Sequence, residues 1–469
     1  MTSELWRLGA EQTAALIRDR QISAREVTVS VLTRIAEVNP RFNALPFVMA
    51  EAALAAADAA DQAQARGEPL GALHGVPVTI KINIDVAGMA TTDGVVFLKD
   101  NIANSDSPLV TSLRDAGAII VGRSNAPAFS LRWFSDNALH GRTLNPFDAG
   151  VTPGGSSGGA AAATALGMGA IAHGNDYGGS VRYPAWACGV VGLRTTVGRI
   201  ASYKASAPNR IISNQQMSVQ GPLTRNVADA RLAMQVMSNG SPLDPQWVPA
   251  PLQFPGHDQP VRVALFKHWR GSGVDPSVAA ALNQAAQWLA SAGYEVEVAE
   301  PPHFMETTEM YRHLVMNDMH RGGRPFMMEH GDAALKKSLS HFLGDAAAWD
   351  RDQYLEALQR RFNIAREWAL FFERYPVLLL PNSWERQFPI DDDLRSQSRF
   401  EEILLAQSPL LATANLGLPG LSVPTGLDVG LPTGVQLVAS KFREDLLLAA
   451  GEVIERAAGF SALDQLAPH

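Results

Sequence analysis

From residue 74 to about 240 the chain alternates short apolar runs with helical stretches, and this rhythm restricts the fold more than any other feature. "GVPVTIKI", "GAIIVG" and "GAIAHG" have the length and bounding glycines of buried strands, and "SPLVTSLRDAG" and "SGGAAAATALGMG" lie among them. Strands alternating with helices bury themselves in a sheet that the helices cover, so an α/β fold is expected. Upstream, residues 9–66 read as helices. Ser23 and Glu26 form a capping box, Asn39–Pro40 is a stop signal, and a second, alanine-rich helix closes at Gly67. Downstream, 241–260 is rich in proline and reads as a linker or surface excursion. A second βαβ rhythm follows in "VRVALF", a helix near 276–292, and "YEVEVAE". Residues 303–375 look mainly helical and carry many Met, Phe and Trp. "YPVLLLPNS", "PGLSVPTG" and "TGVQLVAS" read as strands before a last helix near 443–458.

At 469 residues and 46% hydrophobic, the chain can bury a large core. Its net charge of −8, with no basic run, lacks the footprint of a nucleic-acid or anionic-membrane binder. A single cysteine, Cys188, excludes an internal disulfide, argues for a reducing compartment and reads as a core residue. The opening "MTSELWRLGAEQ" does not have the form of a signal peptide, and no apolar run reaches membrane-spanning length. A cytoplasmic protein is expected.

Three stretches carry chemistry. In "PVTIKINID", 77–85, Val78, Ile80, Ile82 and Ile84 alternate with Thr79, Lys81, Asn83 and Asp85. A strand sends the two sets to opposite faces, so Lys81 faces either water or a cleft. In a cleft, desolvation would lower its pKa and leave an amine able to take a proton. In "TPGGSSGGAAAA", 152–163, two serines sit between glycine pairs ahead of a small-residue helix. A phosphate cradle, a nucleophile elbow and a tight backbone site fixing a serine all fit such a turn, although phosphate-loop and dinucleotide spacings are absent. In "GNDYGGSVRYPA", 174–185, the amides of Tyr177, Gly178, Gly179 and Ser180 could converge as an anion site, with Asp176 and Arg182 paired to hold the turn. An ordinary loop fits that stretch too. A serine alcohol needs a base. No histidine stands in a suggestive setting, and neither H-E-x-x-H nor C-x-x-C points to a metal. Lys81 and the serines are the remaining set suited to acyl transfer.

These stretches resemble the amidase signature hydrolases. "GVPVTIK", "GMATTDG", "NPFD", "TPGGSSGGAAAA", "GNDYGGSVRYPAWACGVVGLRTTVGR" and "GPLTRNVADA" carry the resemblance densely over 74–230, and "GLPGLSVPTG" and "LPTGVQLVA" more loosely over 410–450. The resemblance implies a single large domain with a mixed, mostly parallel central sheet surrounded by helices. Its segments would be an N-terminal helical part (1–70), a signature core (71–240), a variable, largely helical pocket region (241–410), and closing strands and helix (411–469). By motif position Ser180 would be the acylated nucleophile, Ser156 the bridging serine after a cis peptide from Gly155, and Lys81 the base. The 177–180 amides would form the oxyanion hole, and Ser157, Asp176 and Arg182 would support it. No cofactor and no metal is implied. The family often has Asp where this chain has Ile82, and Pro where it has Thr195; neither is a catalytic position.

Specificity should come from "FSLRWFSDNALHGR", 129–142, and from 303–410. The former loosely resembles the branch that hydrolyses nylon oligomers and aryl amides, which implies apolar or aryl linear amides, with carbamates and esters as further options. The alternatives are a glutaminyl-tRNA amidotransferase catalytic subunit working with partner subunits, and a non-catalytic binding protein on the same scaffold. The expected partners are a small amide and, at most, a second copy of the chain as a homodimer.

Overall fold

The computed structural model describes residues 2–254, 260–267, 273–344 and 348–466. Part of the expected linker, 255–259, and three residues within the helical region, 345–347, lie outside these. Among the described residues one sheet of eleven strands runs through the whole domain. The strands are β1 Phe47–Val48, β2 Pro77–Lys81, β3 Ile119–Ser124, β4 Ile171–Asp176, β5 Val191–Arg194, β6 Val219–Thr224, β7 Arg262–Leu265, β8 Glu295–Val298, β9 Val377–Leu380, β10 Gly420–Asp428 and β11 Leu431–Ala439. Their order is β1-β3-β2-β4-β6-β5-β10-β11-β9-β7-β8. Helices surround the sheet, and the hydrophobic clusters pack strand side chains against them.

The sheet is mixed, as the resemblance implies, but parallel pairing does not predominate. Only four of its ten neighbouring pairs are parallel: β2 with β3 and β4, and β7 with β8 and β9. The centre is antiparallel. β10 and β11 are joined by a two-residue turn at Val429–Gly430, both with positive φ, and so tight a link can only reverse the chain.

Most helices fall where the sequence puts them. The capping box at Ser23 is formed, with each side chain satisfying the other residue's amide. The stop at Pro40 is not obeyed. The helix runs Ala24–Phe42 and ends on Asn43, a left-handed cap whose amide donates to Asn39. Pro40 forfeits only its own N–H, and one lost bond in a final turn is tolerable.

The 77–85 alternation also resolves differently from a strand with one wet face. β2 ends at Lys81 and all five of its residues are buried. The chain then turns, with the Ile84 amide donating to the Lys81 carbonyl. Buried Arg123 on β3 clamps this turn, donating from Nη2 to the carbonyls of Ile84 and Lys81 at 2.5 and 3.3 Å. Strand alternation therefore separates two buried faces here, as is common where helices cover a sheet on both sides.

Candidate active site

Lys81 is the last residue of β2 and is fully buried. Its Nζ lies 2.6 Å from Ser156 Oγ, 2.7 Å from Asn175 Oδ1 and 3.1 Å from Ser157 Oγ. Burial pushes its pKa down to about 7, against the opposing pull of Asp93 and Asp176. A large share of the amine is therefore uncharged near neutrality.

Ser156 and Ser157 precede the helix Gly158–Ala165, every residue of which is buried. The Gly155–Ser156 peptide is cis. Glycine is required at 155 because a Cβ there would strike the backbone of Arg132, Trp133 and Phe134. The Ser157 amide donates to the Ser180 carbonyl at 3.2 Å, which ties the two serine-bearing turns together.

The second turn follows β4. Buried Asp176 organises it. Its carboxylate receives Arg182 Nε and Nη2 at 3.0 Å each, Arg194 Nη1 at 2.9 Å, and the amides of Gly179 and Val181 at 2.9 and 3.2 Å. Burial alone would raise the Asp176 pKa; the two guanidinium groups overcome it and hold the carboxyl ionised, well below the usual range. The expected Asp176–Arg182 pair is thus present, and the sequence reading missed Arg194 as its second partner. Gly179, at φ +103°, aims its amide back at Asp176. That amide is committed to Asp176, whereas the amides of Tyr177, Gly178 and Ser180 have no partner among the described residues. The Ser180 hydroxyl also has no hydrogen-bond partner among them, and the residue is 7% exposed, on the wall of a cavity.

The empty space of that cavity, counting the part open to solvent, is about 660 Å³. Tyr177, Trp133, Tyr311, Phe342 and Phe400 supply its rings, and Leu131, Val315, Met319 and Leu339 its aliphatic surface. Both stretches expected to form pocket walls contribute: 129–142 through Ser130–Trp133, and the helical region through residues 311–342 and 393–400. Asp393 reaches the wall because buried Arg132 holds it with two bonds of 2.7 and 2.8 Å. A second, more polar cavity reaches Ser156 and Asn175 and is lined also by Asn83, Asp93, Lys204 and Arg210.

None of the described histidines hydrogen-bonds to Ser156, Ser157 or Ser180. His173 is engaged with Gln220 and burial pushes it down to about 3, so it is neutral. Among the described residues no group of three metal-ligating side chains is present. Cys188 is a buried core thiol that burial pushes upward. Ile82, next to Lys81 in the chain, is buried, and Thr195 donates to the Gln220 carbonyl. No described helix is long and apolar enough to cross a membrane.

A mixed sheet wrapped in helices, with hydroxyls and a buried amine gathered beside an apolar pocket, defines an α/β protein with a candidate active site. The chain belongs to the amidase family, whose model matches residues 26–448. It is 44% identical to the indoleacetamide hydrolase of Bradyrhizobium diazoefficiens over 98% of this chain and 88% of that one. One of the subunits of the glutamyl-tRNA(Gln) amidotransferase of Moorella thermoacetica is 31% identical, with 97% of each chain covered. The crystal structure of a bacterial aryl acylamidase of the amidase signature family superposes with a TM-score of 0.85 at 25% identity, covering 98% of this chain and 99% of the other. The protein is an amide-hydrolysing enzyme.

Proposed function

We propose that the protein hydrolyses small primary amides with a flat, apolar acyl group, indoleacetamide being the representative substrate, through an acyl-enzyme on Ser180. The observation that carries the reading is Lys81 Nζ, buried and 2.6 Å from Ser156 Oγ, next to a ring-lined cavity that Ser180 opens onto. Neutral Lys81 takes the Ser156 proton while Ser156 takes that of Ser180. The Ser180 oxygen bonds to the amide carbon, and the carbonyl electron pair moves onto oxygen. The amides of Tyr177, Gly178 and Ser180 receive that oxyanion. When the carbon–oxygen double bond re-forms, the carbon–nitrogen bond breaks and the proton returns through Ser156 to the departing nitrogen, which leaves as ammonia. Water then adds to the acyl ester by the same route, and the acid is released. The Gly178 carbonyl receives Trp133 Nε1 at 3.1 Å, which couples the turn to the pocket wall.

The lining also separates this reading from that of an amidotransferase component. Five rings suit an aromatic acyl group better than the polar side chain of glutamine. The test is hydrolysis by the purified chain, without partner subunits or ATP, read as ammonia released from indoleacetamide, a short aliphatic amide and glutamine, and as aniline released from an anilide. The reading predicts the highest kcat/KM for indoleacetamide among the primary amides and loss of all turnover in Ser180→Ala. Preference for glutamine would overturn it.

A further inference from the structure

A neutral amine has two N–H donors and one lone pair, and three oxygens surround Lys81 Nζ. The lone pair must face the right one for the amine to act as a base. The Asn175 side-chain carbonyl oxygen can only accept. Ser157 directs its hydroxyl hydrogen to the Asn175 backbone carbonyl at 3.4 Å, so towards Lys81 it too can only accept. Ser156, the nearest of the three, is the oxygen left with a hydrogen to give.

We propose that Asn175 is a positioning residue for the base: its side-chain carbonyl, braced by Asn83, joins the Ser157 hydroxyl in taking both N–H bonds of Lys81, so that the lone pair faces Ser156. The inference rests on the reading of Lys81 as base. Asn175 is held in this sense by a reciprocal amide pair. Its Nδ2 donates to Asn83 Oδ1 at 3.0 Å, and Asn83 Nδ2 donates to Asn175 Oδ1 at 3.3 Å and to Ser130 Oγ at 3.0 Å. Turning the Asn175 amide over would set NH₂ against NH₂ and present hydrogens to the lysine. Ser130 stands on the wall of the ring-lined cavity, so the brace ends at the substrate pocket. Once Ser156 has passed its proton to Lys81, the ammonium has three hydrogens and the same three oxygens accept them. Both protonation states are then satisfied without rearrangement, which keeps the reorganisation of the step small.

Other charged or titratable groups also surround Lys81 and are common to the wild type and both variants. They are Asp176 and neutral His173 on β4, Asp93 with its Lys204 partner after β2, and Arg123 on β3, bonded to the Lys81 carbonyl.

The test is the pH dependence of kcat/KM for indoleacetamide in Asn175→Asp and Asn175→Leu. A carboxylate in contact with Lys81 favours the ammonium, so Asn175→Asp should move the acid limb up by about one pH unit or more, with activity returning above it. Removing the acceptor disfavours the ammonium, so Asn175→Leu should move the limb down. Its plateau kcat should fall about 100-fold, with KM within about threefold of wild type. A merely structural role would not move the limb in opposite directions. Limbs left at the wild-type position, or shifted the same way in both variants, overturn the proposal. If Asn175→Leu does not fold, the smaller Asn175→Ala, which also lacks the acceptor, supplies the downward arm of the test. Lys81→Ala separates the two readings: if it is inactive while the limbs stay fixed, the base stands and the positioning role falls; if it is active, both fall.

Discussion

Ser157 donates its backbone amide to the carbonyl of Ser180, and this bond of 3.2 Å joins two turns that lie more than twenty residues apart in the chain. One turn bears the hydroxyl in contact with the buried lysine; the other bears the hydroxyl that opens onto the pocket. The catalytic reading depends on that junction.

Ser180 is the proposed point of acylation. Ser180→Ala is expected to lower kcat for indoleacetamide by about 10⁴-fold or more, as loss of a nucleophile does in serine hydrolases. A fluorophosphonate probe should add its mass to the peptide containing Ser180 in wild type and to no peptide in the variant. Labelling of another serine would contradict the assignment.

Burying Lys81 should weaken the fold, and the effect has a definite sign. Its pKa falls from 10.5 to about 7 on folding, so between those values the unfolded chain holds more proton. The penalty is full below the folded value and is relieved as pH rises towards the unfolded one. It is on the order of 4 kcal/mol at pH 7 and about half that at pH 9. Lys81→Met should therefore be more stable than wild type in denaturant unfolding at pH 7, and the gain should shrink by pH 9. A gain that grows with pH would contradict the buried neutral amine.

Asp176 is the shared ion-pair partner of two fully buried guanidinium groups. Asp176→Asn would leave Arg182 and Arg194 without their counter-charge, at a cost of about 3–5 kcal/mol. A midpoint of urea unfolding close to wild type would contradict this account of the turn.

Leu339 lines the ring-lined cavity from the helix Ala333–Leu343. Leu339→Trp should lower kcat/KM for indoleacetamide about tenfold or more while leaving acetamide within about threefold, because only the larger acyl group needs the filled space. Equal losses on both substrates would mean that the acyl group lies elsewhere.

Much of this site is legible in the sequence because glycine and serine clusters report local backbone demands. Ser156, Ser157, Ser180 and the Asp176–Arg182 pair each lie within one short segment. Arg194 escapes such a reading because it meets Asp176 through the packing of β5, not through nearness in the chain. Asp393 escapes for a similar reason, being drawn to the pocket by Arg132 more than 250 residues away. Asn175 sits inside the motif, but its role depends on the direction of hydrogen bonds, which residue type alone does not encode. Strand direction is hidden as well: an apolar run looks the same in either orientation, so the antiparallel centre does not show in the alternation of strands and helices. The bond from the Gly179 amide to Asp176 is hidden too, because a glycine pair shows that a tight turn exists, not where each N–H points.

The central claim, a buried and uncharged Lys81 acting as base, is tested most directly by the pH profile of kcat/KM for indoleacetamide in the wild-type enzyme. With the Lys81 pKa near 7, activity should fall tenfold for each pH unit below that value, following the neutral fraction of the amine. A profile that stays flat down to pH 5 would contradict the claim.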